Sequence, residues 1–126
     1  MKTIITTNNA PAPIGPYNQA ILTGNTLYTS GQIAINPETN NLVLDNITTE
    51  TKQVMQNLKA VLEAANMTFK NVIKSTIFIS NMDNFASINE VYGSYFDNAT
   101  APARETVEVA RLPKNVNVEI SVIAVK

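Results

Sequence analysis

The chain has 126 residues, nine basic and ten acidic side chains, a formal charge of −1, and neither histidine nor cysteine. That length suits one domain, residues 1–126, around a single core. The missing cysteine and histidine remove disulfides, thiolate nucleophiles and ordinary zinc or copper sites, and the balanced charge argues against a nucleic-acid partner held by bulk electrostatics.

Residues 1–7 read as an extended, β-branched segment with only Lys2 near the start, so no secretory or transit signature is expected. No apolar run reaches the length of a membrane span, and the expected location is the cytoplasm, with no membrane partner. Residues 8–16 hold Pro11, Pro13, Gly15 and Pro16 and read as an irregular loop. Segments 17–22 and 26–30 flank Thr23-Gly24-Asn25, which is a hairpin signal. A polar loop around Asn36-Pro37 follows, over residues 31–46.

Val54, Met55, Leu58, Val61, Leu62 and Ala65 then recur at the spacing of one helix face. Thr48 or Thr49 is expected to cap its start, and Asn66 to take the left-handed position that ends it. Residues 72–80 read as a β-branched strand. Asn81 or Asp83 is expected to cap a second helix, with Phe85, Ile88, Tyr92, Tyr95 and Phe96 turned into the core. Two strands close the chain, 103–110 and 116–125, joined through the turn Leu112-Pro113-Lys114-Asn115. The order β-β-β-α-β-α-β-β predicts an α+β fold with two helices on one face of a sheet. Ile123 and Val125 fall on the other face, which is therefore expected to be buried against another subunit.

Chemistry near neutral pH has few candidates here. Both arginines, Arg104 and Arg111, lie in one segment, and a guanidinium matches a carboxylate in a bidentate grip. Alternation places Arg104, Thr106 and Glu108 on one face of their strand and Glu105, Val107 and Val109 on the other. With the valines turned to the helices, Arg104 and Thr106 would share the open face with Glu119, as a site or as a simple cross-strand ion pair. Tyr17 follows the turn Gly15-Pro16, and Ser30-Gly31 ends a strand where a glycine permits close approach. No acidic cluster has the spacing of a metal loop, and no nucleotide-binding glycine loop is present.

Ile14-Gly15-Pro16-Tyr17, Tyr28-Thr29-Ser30-Gly31-Gln32-Ile33, Pro102-Ala103-Arg104, Val107-Glu108-Val109-Ala110-Arg111-Leu112-Pro113 and Val118-Glu119-Ile120, in this order, resemble the RidA (YjgF/YER057c/UK114) family. The resemblance implies a chorismate-mutase-like (bacillus) fold, a mixed six-stranded sheet with two helices on one face, assembled as a homotrimeric barrel with sites between subunits. It implies hydrolysis of 2-imino acids or their enamines (2-iminobutanoate, 2-iminopropanoate) to 2-oxo acids and ammonia, with no cofactor and no metal. By the same resemblance Arg104 would bind the substrate carboxylate, and Glu119 with the backbone carbonyl of Thr106 would position water. Tyr17, Ser30, Gly31 and Asn89 would line the cleft, while Arg111 would be structural. Glu105-Thr106 stands where many relatives carry Ser-Cys, and Glu105 is expected to point away from Arg104. Two other function classes go with the resemblance: a non-catalytic regulator that binds small carboxylates, and an endoribonuclease or translation inhibitor, which the absent histidines disfavour.

Overall fold

Helix α1 (Ile47–Ala64) forms where the apolar spacing is clearest, and Val54, Met55, Leu58, Val61 and Leu62 are all fully buried. Each such side chain contributes about 1.5–3 kcal/mol relative to exposure. The cap falls earlier than either threonine: Asn46, in extended backbone, accepts from the Thr49 amide at 2.8 Å. Asn66 takes the left-handed position, φ 58°, as expected. Asn81 caps a short 3-10 turn, Met82–Asn84, that leads into α2 (Phe85–Gly93), whereas Asp83 lies inside that turn. Tyr95 and Phe96 lie past the end of α2, where both pack on Phe69.

The computed structural model describes Met1–Lys126. Its strands are β1 (Lys2–Ile5), β2 (Ala20–Thr23), β3 (Thr26–Thr29), β4 (Val72–Ile79), β5 (Ala103–Glu108) and β6 (Val118–Val125). They form one mixed sheet in the order β1-β2-β3-β6-β4-β5. Only β4 and β5, the pair that α2 connects, are parallel. Leu27, Ile77, Ile79, Val118, Ile120, Val122 and Ala124 cover the inner face and join both helices in one core.

The loop from 31 to 46 is tied to the sheet rather than free. Gln32 bridges Ile120 of β6, and Ala34 and Ile35 are buried. Glu50 of α1 is also fully buried, and its two oxygens accept from the backbone amide and side-chain amide of Asn117 at 2.8 and 2.7 Å. That pairing satisfies a carboxylate with no cation near it and anchors the entry to β6, two residues before Glu119.

The outer face of the sheet carries an apolar row across four strands, Ile4, Ile21, Tyr28 and Ile123, in direct register. A second row sets Glu119, Phe78 and Val107 side by side. This corrects the expected orientation of β5. In the parallel register Ser75 opposes Arg104 and Ile77 opposes Thr106, and residues so paired share a face. Ser75 and Ile77 are buried on the helix side, so Arg104 and Thr106 face the helices and Val107, 41% exposed, faces out. Hydrophobic alternation misleads here because the outer face is itself apolar.

Candidate functional site

One half of the site is built on the loop after β1 and the ends of β3 and β6. Gln19, almost fully buried, donates to the carbonyls of Thr7, Ala10 and Pro11 and accepts from the Thr7 amide, so it holds the proline-rich loop in place. Gly15, at φ 121°, turns the chain, and the Tyr17 hydroxyl accepts from the Ile14 amide at 3.2 Å. The Ser30 hydroxyl donates to the Asn18 carbonyl at 2.6 Å. Together these elements enclose a cavity of about 490 Å³ lined by Tyr17, Ser30, Gly31, Glu119, Ile14 and Lys114, among others.

Glu119 sits against the backbone of Gly31. A Cβ at position 31 would lie 2.8 Å from Glu119 Cδ, inside any tolerable contact, so glycine is required for the carboxylate to occupy this place. Burial pushes the Glu119 carboxyl above its ordinary pKa. Neither intrachain ion pair involves it. A carboxylate of this kind suits a proton acceptor working near neutral pH.

The other half lies at the edge strand. Arg104 lines a second cavity, about 420 Å³, with Asn89, Tyr92, Phe96, Asn98 and Pro102 around it. Its Nη1 donates to Asn89 Oδ1 at 2.7 Å. The guanidinium lies over the ring of Tyr92 at 5.1 Å and that of Phe85 at 5.7 Å. Tyr92 is itself fixed by donating to the buried Ser75 hydroxyl at 2.8 Å. Burial pushes the Tyr92 phenol up, against the opposing pulls of the Ser75 bond and the Arg104 charge.

No carboxylate of this chain reaches Arg104; the two ion pairs are Lys59–Glu63 and Lys74–Glu105. Glu105 turns away as expected, bound to Lys74 Nζ at 2.9 Å and to the Thr76 hydroxyl at 3.0 Å on the outer face. Both partners hold its carboxyl below the usual range. Thr106 Oγ1 is buried with no partner. Arg111 enters no ion pair and lines neither cavity.

The expected meeting of Arg104 with Glu119 does not occur within one chain. β4 separates β5 from β6, and the two side chains project from opposite faces of the sheet. The ion-pair alternative falls for the same reason. Of the residues named from sequence, Tyr17, Ser30, Gly31 and Glu119 gather in the first half and Arg104 and Asn89 in the second. Phe85 and Tyr92 were legible only as core, since an aromatic at helical spacing carries no mark of a cation on its face. Gln19 had no sequence signal at all.

Known proteins resemble this chain in sequence and fold. Residues 7–126 match the family model described as Endoribonuclease L-PSP. Over its whole length, and 99% of the relative, the chain is 45% identical to the Escherichia coli K12 protein named 2-iminobutanoate/2-iminopropanoate deaminase. A Yersinia pestis structure from the conserved Rid protein family is 49% identical with a TM-score of 0.97, covering 100% of both chains. The crystal structure of Escherichia coli TdcF with bound serine is 42% identical, TM-score 0.92, covering 98% of each chain.

Proposed function

Since the chain belongs to the RidA (Endoribonuclease L-PSP) family, we propose that it hydrolyses 2-imino acids to 2-oxo acids and ammonia at a site completed by two copies of itself. The carrying observation is the split: a guanidinium with no carboxylate partner on one sheet face and a half-buried carboxylate with no cation partner on the other. A homotrimer of chorismate-mutase-like type, with the apolar outer faces packed inward, would bring the Arg104 half of one copy to the Glu119 half of the next. The name of the 45% identical relative supplies the substrates, 2-iminobutanoate and 2-iminopropanoate.

The chemistry asks little of the protein. Arg104 grips the carboxylate and so fixes C2 of the protonated imine. Water, placed by Glu119 and the backbone carbonyl of Thr106, attacks C2. A C–O bond forms, the C=N π pair moves to nitrogen, and Glu119 takes the proton of the water. The protonated Glu119 then gives that proton to the amine, the C–N bond breaks with its pair on nitrogen, and the regenerated Glu119 carboxylate takes the hydroxyl proton as the carbonyl forms and passes it to the departing ammonia. Protonated imine and water in, carbonyl and ammonium out balance the sequence, and no metal or covalent nucleophile enters it. Tyr17, Ser30 and Gly31 wall the pocket in this reading.

The test is competition with semicarbazide while a dehydratase generates 2-iminobutanoate. Wild type should speed 2-oxobutanoate release and suppress semicarbazone. Arg104→Ala should lower kcat/KM by about 10- to 100-fold, the worth of a charge-assisted bond, with the fold intact. An unchanged rate in that variant sinks the assignment. The serine bound in a 42% identical relative favours a second reading, a carboxylate-binding regulator; 2-oxobutanoate binding without any turnover would select it.

A further inference from the structure

We propose that Asn89 is a positioning residue that sets both the direction and the free charge of Arg104, rather than a residue that merely lines the cleft. The inference rests on the reading of Arg104 as a carboxylate grip. A guanidinium only donates, so Asn89 must turn Oδ1 toward it, and the 2.7 Å bond fixes the amide's orientation. The Asn89 Nδ2 donates to nothing else in the chain, leaving two further donors beside the guanidinium.

Phe85, Asn89 and Tyr92 stand at i, i+4 and i+7, one face of α2, and all three hold Arg104. Every one of these holders is neutral. Arg104 is the only charged residue lining its cavity. Two ring faces and an amide oxygen therefore direct the fork without cancelling its charge. An aspartate at position 89 would bind Arg104 more strongly and in the same place. It would also supply the negative partner that the substrate carboxylate is meant to be, and would replace the two spare donors with acceptors. Stability and ligand binding thus favour opposite residues at position 89, and the chain carries the one that favours binding.

The experiment measures the Kd of 2-oxobutanoate by calorimetry and the melting temperature of the protein as wild type, Asn89→Asp and Asn89→Gln. Asn89→Asp should melt at or above wild type and bind about tenfold or more weakly. Asn89→Gln, which keeps a neutral amide acceptor long enough to reach Arg104, should lose less affinity than Asn89→Asp. Unchanged affinity in Asn89→Asp overturns the inference, as do equal losses in both variants. A lower melting temperature in Asn89→Asp also counts against it, since an added ion pair to Arg104 should not destabilise the fold. Wild type that binds 2-oxobutanoate but hydrolyses no imine sinks the deaminase reading alone, and the two variants still decide this one. Wild type that binds no 2-oxo acid overturns the role of Asn89 whatever its rate.

Discussion

Glu119 and Gly31 form a pair in which one residue exists for the other. Glu119 gives up solvent for its place in the cavity, and that loss raises its pKa. A carboxyl whose folded pKa lies above its unfolded value contributes stability that is present in full below about pH 4.5 and is lost as pH rises through the raised value. Glu119→Gln should therefore melt like wild type in acid and above wild type at neutral pH, by differential scanning calorimetry. The same variant should lose about 10²–10⁴ in kcat, together with the acid limb of the rate profile, because the neutral amide accepts no proton. Gly31→Ala addresses the same carboxylate from the other side. The Glu119 chain must swing off the new Cβ, and a displacement near 1 Å should cost about 100-fold in kcat with the fold retained. A wild-type rate in Gly31→Ala would show that Glu119 need not sit where it does.

Among the elements, α1 and the edge strand β5 show what can and cannot be read from sequence. Six apolar residues at helical spacing leave one way to bury them, so α1 was predictable down to its left-handed Asn66. Its cap was less so, because Asn46, Thr48 and Thr49 all suit the role and only backbone geometry chooses. Asn46→Ala should lower stability by about 1 kcal/mol in urea denaturation, whereas Thr48→Ala should not. In β5 the alternation was legible but not its sign. A valine is expected to turn toward the helices and an arginine away from them, yet here Arg104, still exposed, lies over aromatic rings of α2 and Val107 faces out. Only the pairing register with β4 resolves that, and register is a long-range property that no local pattern carries.

At the level of the whole molecule, the sheet explains why one chain cannot hold the site we propose. Its inner face is filled by two helices and its outer face is an apolar surface with Glu119 at one end. Arg104 and Glu119 are on opposite sides of that layer, so the proposed site would take its carboxylate grip from one copy and its proton acceptor from another. A repeated contact of this kind would be head-to-tail, and such contacts close into a ring when the rotation between copies closes. The direct measurement is subunit complementation. Arg104→Ala and Glu119→Gln chains, each at about a tenth of wild-type activity or less alone, are unfolded together in equal amounts, refolded and assayed for imine hydrolysis. In random assembly half of the junctions receive an intact Arg104 and half an intact Glu119, so about one quarter of wild-type activity should return. A mixture no more active than the average of its two components would contradict a shared site and return the search to a single chain.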